Sequence, residues 1–104
     1  MDVPTKVKVG AHTYTVVLVD SSELDIGLRG ECDSNEFVIR LSKELPLETI
    51  ATTLFHELLH ALWDSRSMPK RIDEERAVLN FEEGILQLLR DNPKLFPWLR
   101  KSVK

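Results

Sequence analysis

One segment, from Pro46 to Asp64, constrains the fold of this chain more than any other. Its apolar residues recur at the spacing of an α-helix and define one broad face, which predicts a helix packed on a core. His56 and His60 fall almost opposite that face. A histidine pair that only filled the core would lie among the apolar residues, so this pair indicates a second surface with its own use. The apolar residues are Ile50, Leu54, Leu58, Ala61 and Leu62.

The two histidines belong to the motif His56-Glu57-Leu58-Leu59-His60. Because His56 and His60 lie one helical turn apart, both rings project from the same side of the helix and can bind one metal ion. A glutamate directly after the first histidine is typical of zinc sites that activate water. Glu57 lies about 100° round the helix from His56. Its carboxylate would reach a metal-bound water without binding the metal, which is the position that a general base requires.

A catalytic zinc ion usually has three protein ligands, so the histidine pair needs a partner from elsewhere in the chain. Glu74 extends the apolar stripe of a predicted second helix, where an acid is costly unless a metal pairs with it. Glu75 lies about 100° further round this helix. We predict Glu74 as the third ligand and keep Glu75 as the alternative, although two acids in a first helical turn can also simply complement the helix dipole. The other acids considered are Asp64, Asp73, Glu82 and Glu83, and the stripe consists of Ala77, Val78, Phe81, Ile85 and Leu88.

Composition limits the classes of protein to consider. With 104 residues and 42% hydrophobic content, the chain is expected to form a single domain, 1–104, with one modest core. A net charge of −3 and a pI near 5.6 argue against nucleic acid as a partner. No apolar run approaches the roughly 20 residues that span a bilayer, and the start of the chain lacks the features of a signal peptide. We therefore expect a soluble cytoplasmic protein without a membrane partner.

Cys32 is the single cysteine of the chain. One cysteine cannot form an intrachain disulfide, which fits a reducing compartment. A thiolate could serve as a soft metal ligand, and we keep that role only as a minor alternative.

Local patterns predict the remaining elements and an α+β fold. A small N-terminal antiparallel sheet is expected to pack against the motif helix and a second long helix, followed by a short C-terminal helix. Gly84 inside the second helix indicates a close approach to a neighbouring backbone. The predicted strands are a hairpin of Lys6–Val9 and His12–Val19 and a later strand at Glu36–Leu41, whose edge could pair with a peptide. Between them we predict a short strand or irregular loop at Leu24–Gly30 and a turn at Asp33-Ser34-Asn35. The further helices run from Ile72 or Asp73 to Asp91, ended by Asn92-Pro93, and within Lys94–Lys104.

The second half of the chain resembles small phage-encoded zinc metallopeptidases and is similar to minimal gluzincins. The resemblance is carried by the run from Thr53 to Trp63, by Asp73-Glu74-Glu75, by Gly84-Ile85 and by Leu89-Arg90-Asp91-Asn92-Pro93, and it extends more loosely to Gly30–Leu41. It implies a zincin-like fold with His56 and His60 as Zn²⁺ ligands, Glu57 as the general base and Glu74 or Glu75 as the glutamate ligand. Full-size gluzincins have extra subdomains that wall the cleft. Their absence here implies weak activity, restriction to one partner protein, or self-association that covers the cleft.

The leading functional prediction is a zinc-dependent peptidase acting on a peptide or protein substrate. Zinc would activate water and polarise the scissile carbonyl, while Glu57 would move the proton to the leaving amine. Tyr14, His12 and Arg66 are available to stabilise the oxyanion, but the sequence does not choose among them, and His12 is expected to be a surface residue. The alternative is a non-catalytic metal-containing protein-interaction module of phage origin. A third reading is a metal-free helical interaction protein in which the motif is a coincidence.

Overall fold

The computed structural model describes residues 3–68 and 73–103, apart from the side chains of Glu74 and Val78. Within these residues the chain is a mixed α+β structure with a four-stranded sheet and three α-helices. The elements are β1 (Lys6–Val9), β2 (His12–Val19), a short 3-10 turn (Ser21–Glu23), β3 (Gly30–Asp33), β4 (Val38–Ser42), α1 (Leu47–Ser65), α2 (Glu74–Asp91) and α3 (Leu95–Ser102).

The sheet has the strand order β1-β2-β4-β3 and is not purely antiparallel. β1 pairs with β2, and β3 with β4, in antiparallel fashion, whereas β2 and β4 run parallel from Thr15 opposite Val38 to Val19 opposite Ser42. The predicted antiparallel sheet is therefore wrong at this central pair. The segment between β2 and β4 is long enough to carry the chain back to the starting edge of β2, and β3 within it pairs on the far side of β4.

The predicted hairpin at the N-terminus is confirmed, with Val9 opposite His12 across a turn at Gly10 and Ala11. Gly10 has a φ of 61°, which a two-residue hairpin turn requires and which glycine adopts without strain.

The segment predicted to be a short strand or an irregular loop is a loop, and it is followed by a strand that the residue pattern does not predict. The segment Leu24–Arg29 is a loop, and β3 begins at Gly30 and includes Asp33, which we had predicted to belong to a turn. The Asp33 Oδ1 atom accepts hydrogen bonds from the backbone N–H groups of Asn35 and Glu36, at 3.0 and 3.1 Å. These bonds hold Glu36 in the turn, so β4 starts at Val38, two residues after the predicted start.

The predicted helices α1, α2 and α3 are confirmed. Asp73 caps α2, because its Oδ1 atom accepts a hydrogen bond from the N–H of Arg76 at 2.7 Å, and α2 ends at Asp91 before Asn92 and Pro93. The alternative start at Ile72 lies outside the described residues.

The core lies between one face of the sheet and the helical layer. Alternate strand residues are buried, such as Val7 and Val9 in β1, while Lys6 and Lys8 are exposed. All five apolar residues predicted for the inner face of α1 are at most 6% exposed. α1 lies across β1, β3 and β4, α2 packs against β1, and α3 packs against α1. In the ranges 3–68 and 73–103, no helix is both long enough and apolar enough to cross a bilayer.

Gly84 makes the predicted close approach, but to a side chain and not to a backbone. A Cβ atom at this position would lie 3.0 Å from a Cδ atom of Leu62. Glycine therefore lets α2 come close to α1 near the C-terminal end of α1.

Candidate metal and catalytic site

His56 and His60 are brought together on the exposed side of α1, as their spacing predicts. Their Nε2 atoms are 3.3 Å apart. Their ring centroids are 4.9 Å apart, and the ring planes are inclined at 73°. Both side chains are exposed, while Leu58 between them is fully buried in the core.

The separation of the two nitrogens fits a shared metal ion. Zinc binds imidazole nitrogen at about 2.0–2.1 Å with tetrahedral angles, so two such ligands lie about 3.3 Å apart. The distance of 3.3 Å between His56 Nε2 and His60 Nε2 equals this value. The same pair can also share a hydrogen bond when one ring donates its Nε2–H. The donor type and the spacing thus fit zinc at two of its ligand positions.

Glu57 lies beside the pair, at the wall of a cleft of about 400 Å³ between α1 and the loop before β3. Its side chain is only 8% exposed, because its position, one residue after His56, directs it towards the sheet side of the helix. The residues lining this cleft are Gly27, Leu28, Arg29, Gly30, Thr52, Thr53, His56 and Glu57. The same cleft is therefore lined by a histidine, a carboxylate and the first residue of β3.

Gly30 allows β3 to lie close to α1 at this cleft. A Cβ atom on Gly30 would be 2.9 Å from Thr53 Cγ2 and 3.0 Å from the carbonyl oxygen of Arg40. Any larger residue would push the strand away from the helix one turn before Glu57. The narrow spacing of these elements thus depends on glycine.

A second groove, of about 320 Å³, lies on the other side of His56. It is lined by His56, Leu59, His60, Trp63 and Phe81. Trp63 of α1 and Phe81 of α2 pack with ring centroids 6.0 Å apart. α2 therefore lies on the histidine side of α1, which is where a ligand from α2 is predicted.

The third ligand stays a prediction. The side chain of Glu74 lies outside the described residues, and Glu75 is exposed. Among the side chains that the structure describes, no third histidine, cysteine, aspartate or glutamate joins the histidine pair. Three of the other acids have different surroundings: Asp73 caps α2, Glu83 pairs with Arg66, and Asp64 lies beside Tyr14 in a separate pocket.

The three residues considered for the oxyanion lie elsewhere. Tyr14 is 2% exposed in the core, and His12 is an exposed residue that stacks on Phe37 at a centroid distance of 4.2 Å. Arg66 binds Asn80 Oδ1 at 2.8 Å and forms an ion pair with Glu83. None of the three is among the described residues that line the cleft beside Glu57.

Cys32 on β3 packs against the core. Burial, followed by the negative charges of Glu57, Asp64 and Asp33, raises the pKa of its thiol to about 12. Among the side chains that the structure describes, Cys32 does not join the histidine pair, so the minor alternative gains no support.

Sequence reasoning missed two features of the cleft. Arg29 lines it, and only the glycines at positions 27 and 30 on either side of it hinted at a shaped loop. The predicted peptide-binding edge was placed on the wrong strand, because β4 lies inside the sheet, between β2 and β3. β3 is the edge strand next to α1, and its short polar sequence does not predict a strand.

Comparisons of the chain with protein families, with curated proteins and with solved structures give no match.

Proposed function

We propose that this protein is a zinc-dependent peptidase with a zincin-like fold, in which Glu57 is the general base. The observation that carries the proposal is the 3.3 Å separation of the Nε2 atoms of His56 and His60, with the buried carboxylate of Glu57 beside them in a cleft. The motif's likeness to small phage-encoded zinc metallopeptidases supports the same function. We place the protein in a cytoplasm, that of the host if the chain is encoded by a phage.

His56, His60 and a glutamate of α2 would hold the zinc ion. Glu74 is the proposed third ligand and Glu75 the alternative. The packing of Phe81 on Trp63 supports a ligand from α2, since it places this helix on the histidine side of α1.

The chemistry divides between the metal and the chain. Zinc, when bound, lowers the pKa of a coordinated water and polarises a carbonyl oxygen. Glu57 takes a proton from the attacking water and passes it to the leaving amine. Its position suits this role, because the side chain is largely shielded from bulk water and lies at the wall of the cleft.

The free edge of β3 supports binding of an extended peptide beside the metal. The N–H of Ser42 donates to the carbonyl of Arg29 at 2.9 Å, and Glu31 lies opposite Arg40 in the antiparallel register. Because hydrogen-bonded pairs alternate along such a ladder, the main-chain groups of Gly30 and Cys32 point away from β4. A substrate strand could pair with these two residues and pass the cleft that holds Glu57.

Cleavage of a peptide library by zinc-loaded protein tests the proposal. We expect cleavage that a chelator abolishes and that zinc restores. Glu57→Gln should lower the rate at least about 100-fold while zinc stays bound. Glu48→Gln, in the first turn of the same helix, is the matched control and should keep the wild-type rate.

A wild-type rate in Glu57→Gln would remove Glu57 as the base. The alternative function, a non-catalytic metal-containing interaction module, predicts zinc without any cleavage in either protein. A metal ion with a purely structural role has no use for a buried carboxylate next to its ligands.

A further inference from the structure

The loop before β3 forms the outer wall of the cleft and is held firmly at both ends. Leu24 at its start is 7% exposed, and at its end the carbonyl of Arg29 accepts a hydrogen bond from Ser42. The N–H of Leu28 donates to the carbonyl of Asp25 at 3.0 Å, which closes a turn. Gly27, with a φ of 84°, takes the third position of this turn, where a positive φ is required.

The tip of the loop carries two apolar side chains that are exposed in the described part of the chain. Ile26 has a relative exposure of 105%, and Leu28 of 44%. Exposed aliphatic side chains in a fixed turn beside a cleft are typical of a surface that a ligand covers.

Arg29 adds charge to this wall. It is the only lysine or arginine among the described residues that line the cleft, and its side chain is exposed. Within the described ranges, no carboxylate forms an ion pair with its guanidinium, whereas Arg40, Arg66 and Arg90 each have such a partner. An exposed guanidinium without an ion-pair partner can bind a carboxylate with two parallel hydrogen bonds.

We propose that Arg29 is a specificity residue that binds an acidic side chain of the substrate, close to the scissile bond, while an apolar neighbour of that residue packs on Leu28 and Ile26. This inference rests on the proposed peptidase function and names its substrate class, an acidic and apolar peptide segment. The chain has a net charge of −3, so Arg29 would provide local attraction against an overall repulsion of such a substrate.

The first experiment compares matched peptides that carry glutamate or glutamine at each position around the cleavage site. Wild type should cleave the glutamate peptide with a kcat/KM about fivefold to tenfold higher, mostly through KM, and high salt should shrink this ratio. Arg29→Gln should bring the kcat/KM values of the glutamate and glutamine peptides to the same level, and Arg29→Glu should favour a lysine peptide. Arg100→Gln, an exposed arginine of α3, is the control and should keep the preference.

A second measurement, peptide binding to the zinc-loaded Glu57→Gln protein by fluorescence anisotropy, does not require cleavage. The glutamate peptide should bind about fivefold more tightly, and adding Arg29→Gln should abolish the difference. Equal binding of both peptides, or binding of neither, would overturn the proposal for Arg29.

The two measurements separate the possible failures. Zinc-dependent cleavage without a preference for glutamate keeps the peptidase and rejects the role of Arg29. A binding preference that needs Arg29, in a protein that cleaves nothing, keeps Arg29 and rejects the peptidase. If Arg29 instead only positions Glu57, Arg29→Gln would change kcat and the pH profile equally for both peptides, which also overturns the proposal.

Discussion

At the scale of single residues, Glu57 is an acid whose low exposure is better explained by function than by stability. Its side chain is 8% exposed, and neither an ion pair nor a hydrogen bond to its carboxylate occurs among the described residues. A largely shielded carboxylate without a protein partner contributes little to the stability of the metal-free protein. Such a group is expected where function, and not stability, sets the residue.

The stability of Glu57→Gln tests this view without any substrate. In the metal-free protein, we expect its free energy of unfolding to equal the wild-type value or to exceed it by about 0.5–1 kcal/mol, measured by urea denaturation. Glu48→Gln serves again as the reference. A loss of more than about 1 kcal/mol in Glu57→Gln alone would mean that the carboxylate has a structural role.

Two weak acids, the buried Tyr14 and the half-buried Cys32, predict the behaviour of the protein at alkaline pH. Burial, followed by the charge of Cys32, raises the pKa of Tyr14 from 10.0 to about 12, and burial raises that of Cys32 from 9.0 to about 12. A raised pKa of an acid stabilises the fold below the unfolded-state pKa, and this contribution is lost as the pH rises towards the folded-state pKa. The free energy of unfolding should therefore fall between pH 9 and 12, by a few kcal/mol in total.

Tyr14→Phe checks the sign of this effect. Its unfolding free energy should fall less steeply than that of wild type between pH 10 and 12, because the ionisable phenol is gone. An equal or steeper fall would show that Tyr14 does not contribute in this range.

At the scale of elements, the spacing of β3, α1 and α2 depends on two glycines. Gly30→Ala brings a Cβ atom within 2.9 Å of Thr53 Cγ2 and 3.0 Å of a backbone oxygen, which cannot move independently of β4. We expect a loss of about 1–3 kcal/mol. Gly84→Ala meets only the end of the Leu62 side chain, and the higher helix propensity of alanine offsets part of the cost. Thermal unfolding should rank Gly30→Ala as the less stable variant, and the reverse order would contradict this account of the packing.

A second link between elements joins α1 to α2 through Arg66. Its side chain binds Asn80 and Glu83 of α2. Arg66→Ala should cost about 1 kcal/mol and weaken zinc binding, because the helix that carries the proposed glutamate ligand would be held less firmly. Calorimetric titration with zinc measures the second effect. An unchanged zinc affinity would mean that this link does not position the ligand.

The same elements show how far local sequence patterns predict this fold. The face of α1, the start of α2 near Asp73 and the hairpin turn at Gly10 all follow from spacing and residue type within a few positions. The parallel pairing of β2 with β4 does not, because it joins segments separated by another strand and leaves no local pattern. β3 is not predicted for a related reason: a short sequence with glycine, cysteine and aspartate becomes a strand only because β4 provides the partner.

In the candidate site, too, local patterns predict the residues of one helix but not a residue that long-range pairing brings to the cleft. His56, Glu57 and His60 could be predicted, since one helix fixes their relative positions. Arg29 could not be predicted, because it reaches the cleft only through the pairing of β3 with β4 and the turn at Gly27.

At the scale of the whole molecule, the account joins metal binding to folding. A metal ion held by α1 and α2 together would stabilise the folded chain according to the ratio of zinc concentration to Kd. Zinc at about 100 times its Kd should add roughly 2.7 kcal/mol to the free energy of unfolding, and a chelator should remove this gain.

Zinc content tests the central claim most directly. Protein purified without chelator and resupplied with zinc should bind about one ion per chain, measured by elemental analysis after removal of free metal. His56→Ala and His60→Ala should each lose this ion, one of Glu74→Gln and Glu75→Gln should lose most of it, and Glu48→Gln should keep it. Wild-type protein without zinc, or His56→Ala and His60→Ala variants that bind it as well as wild type, would contradict the account.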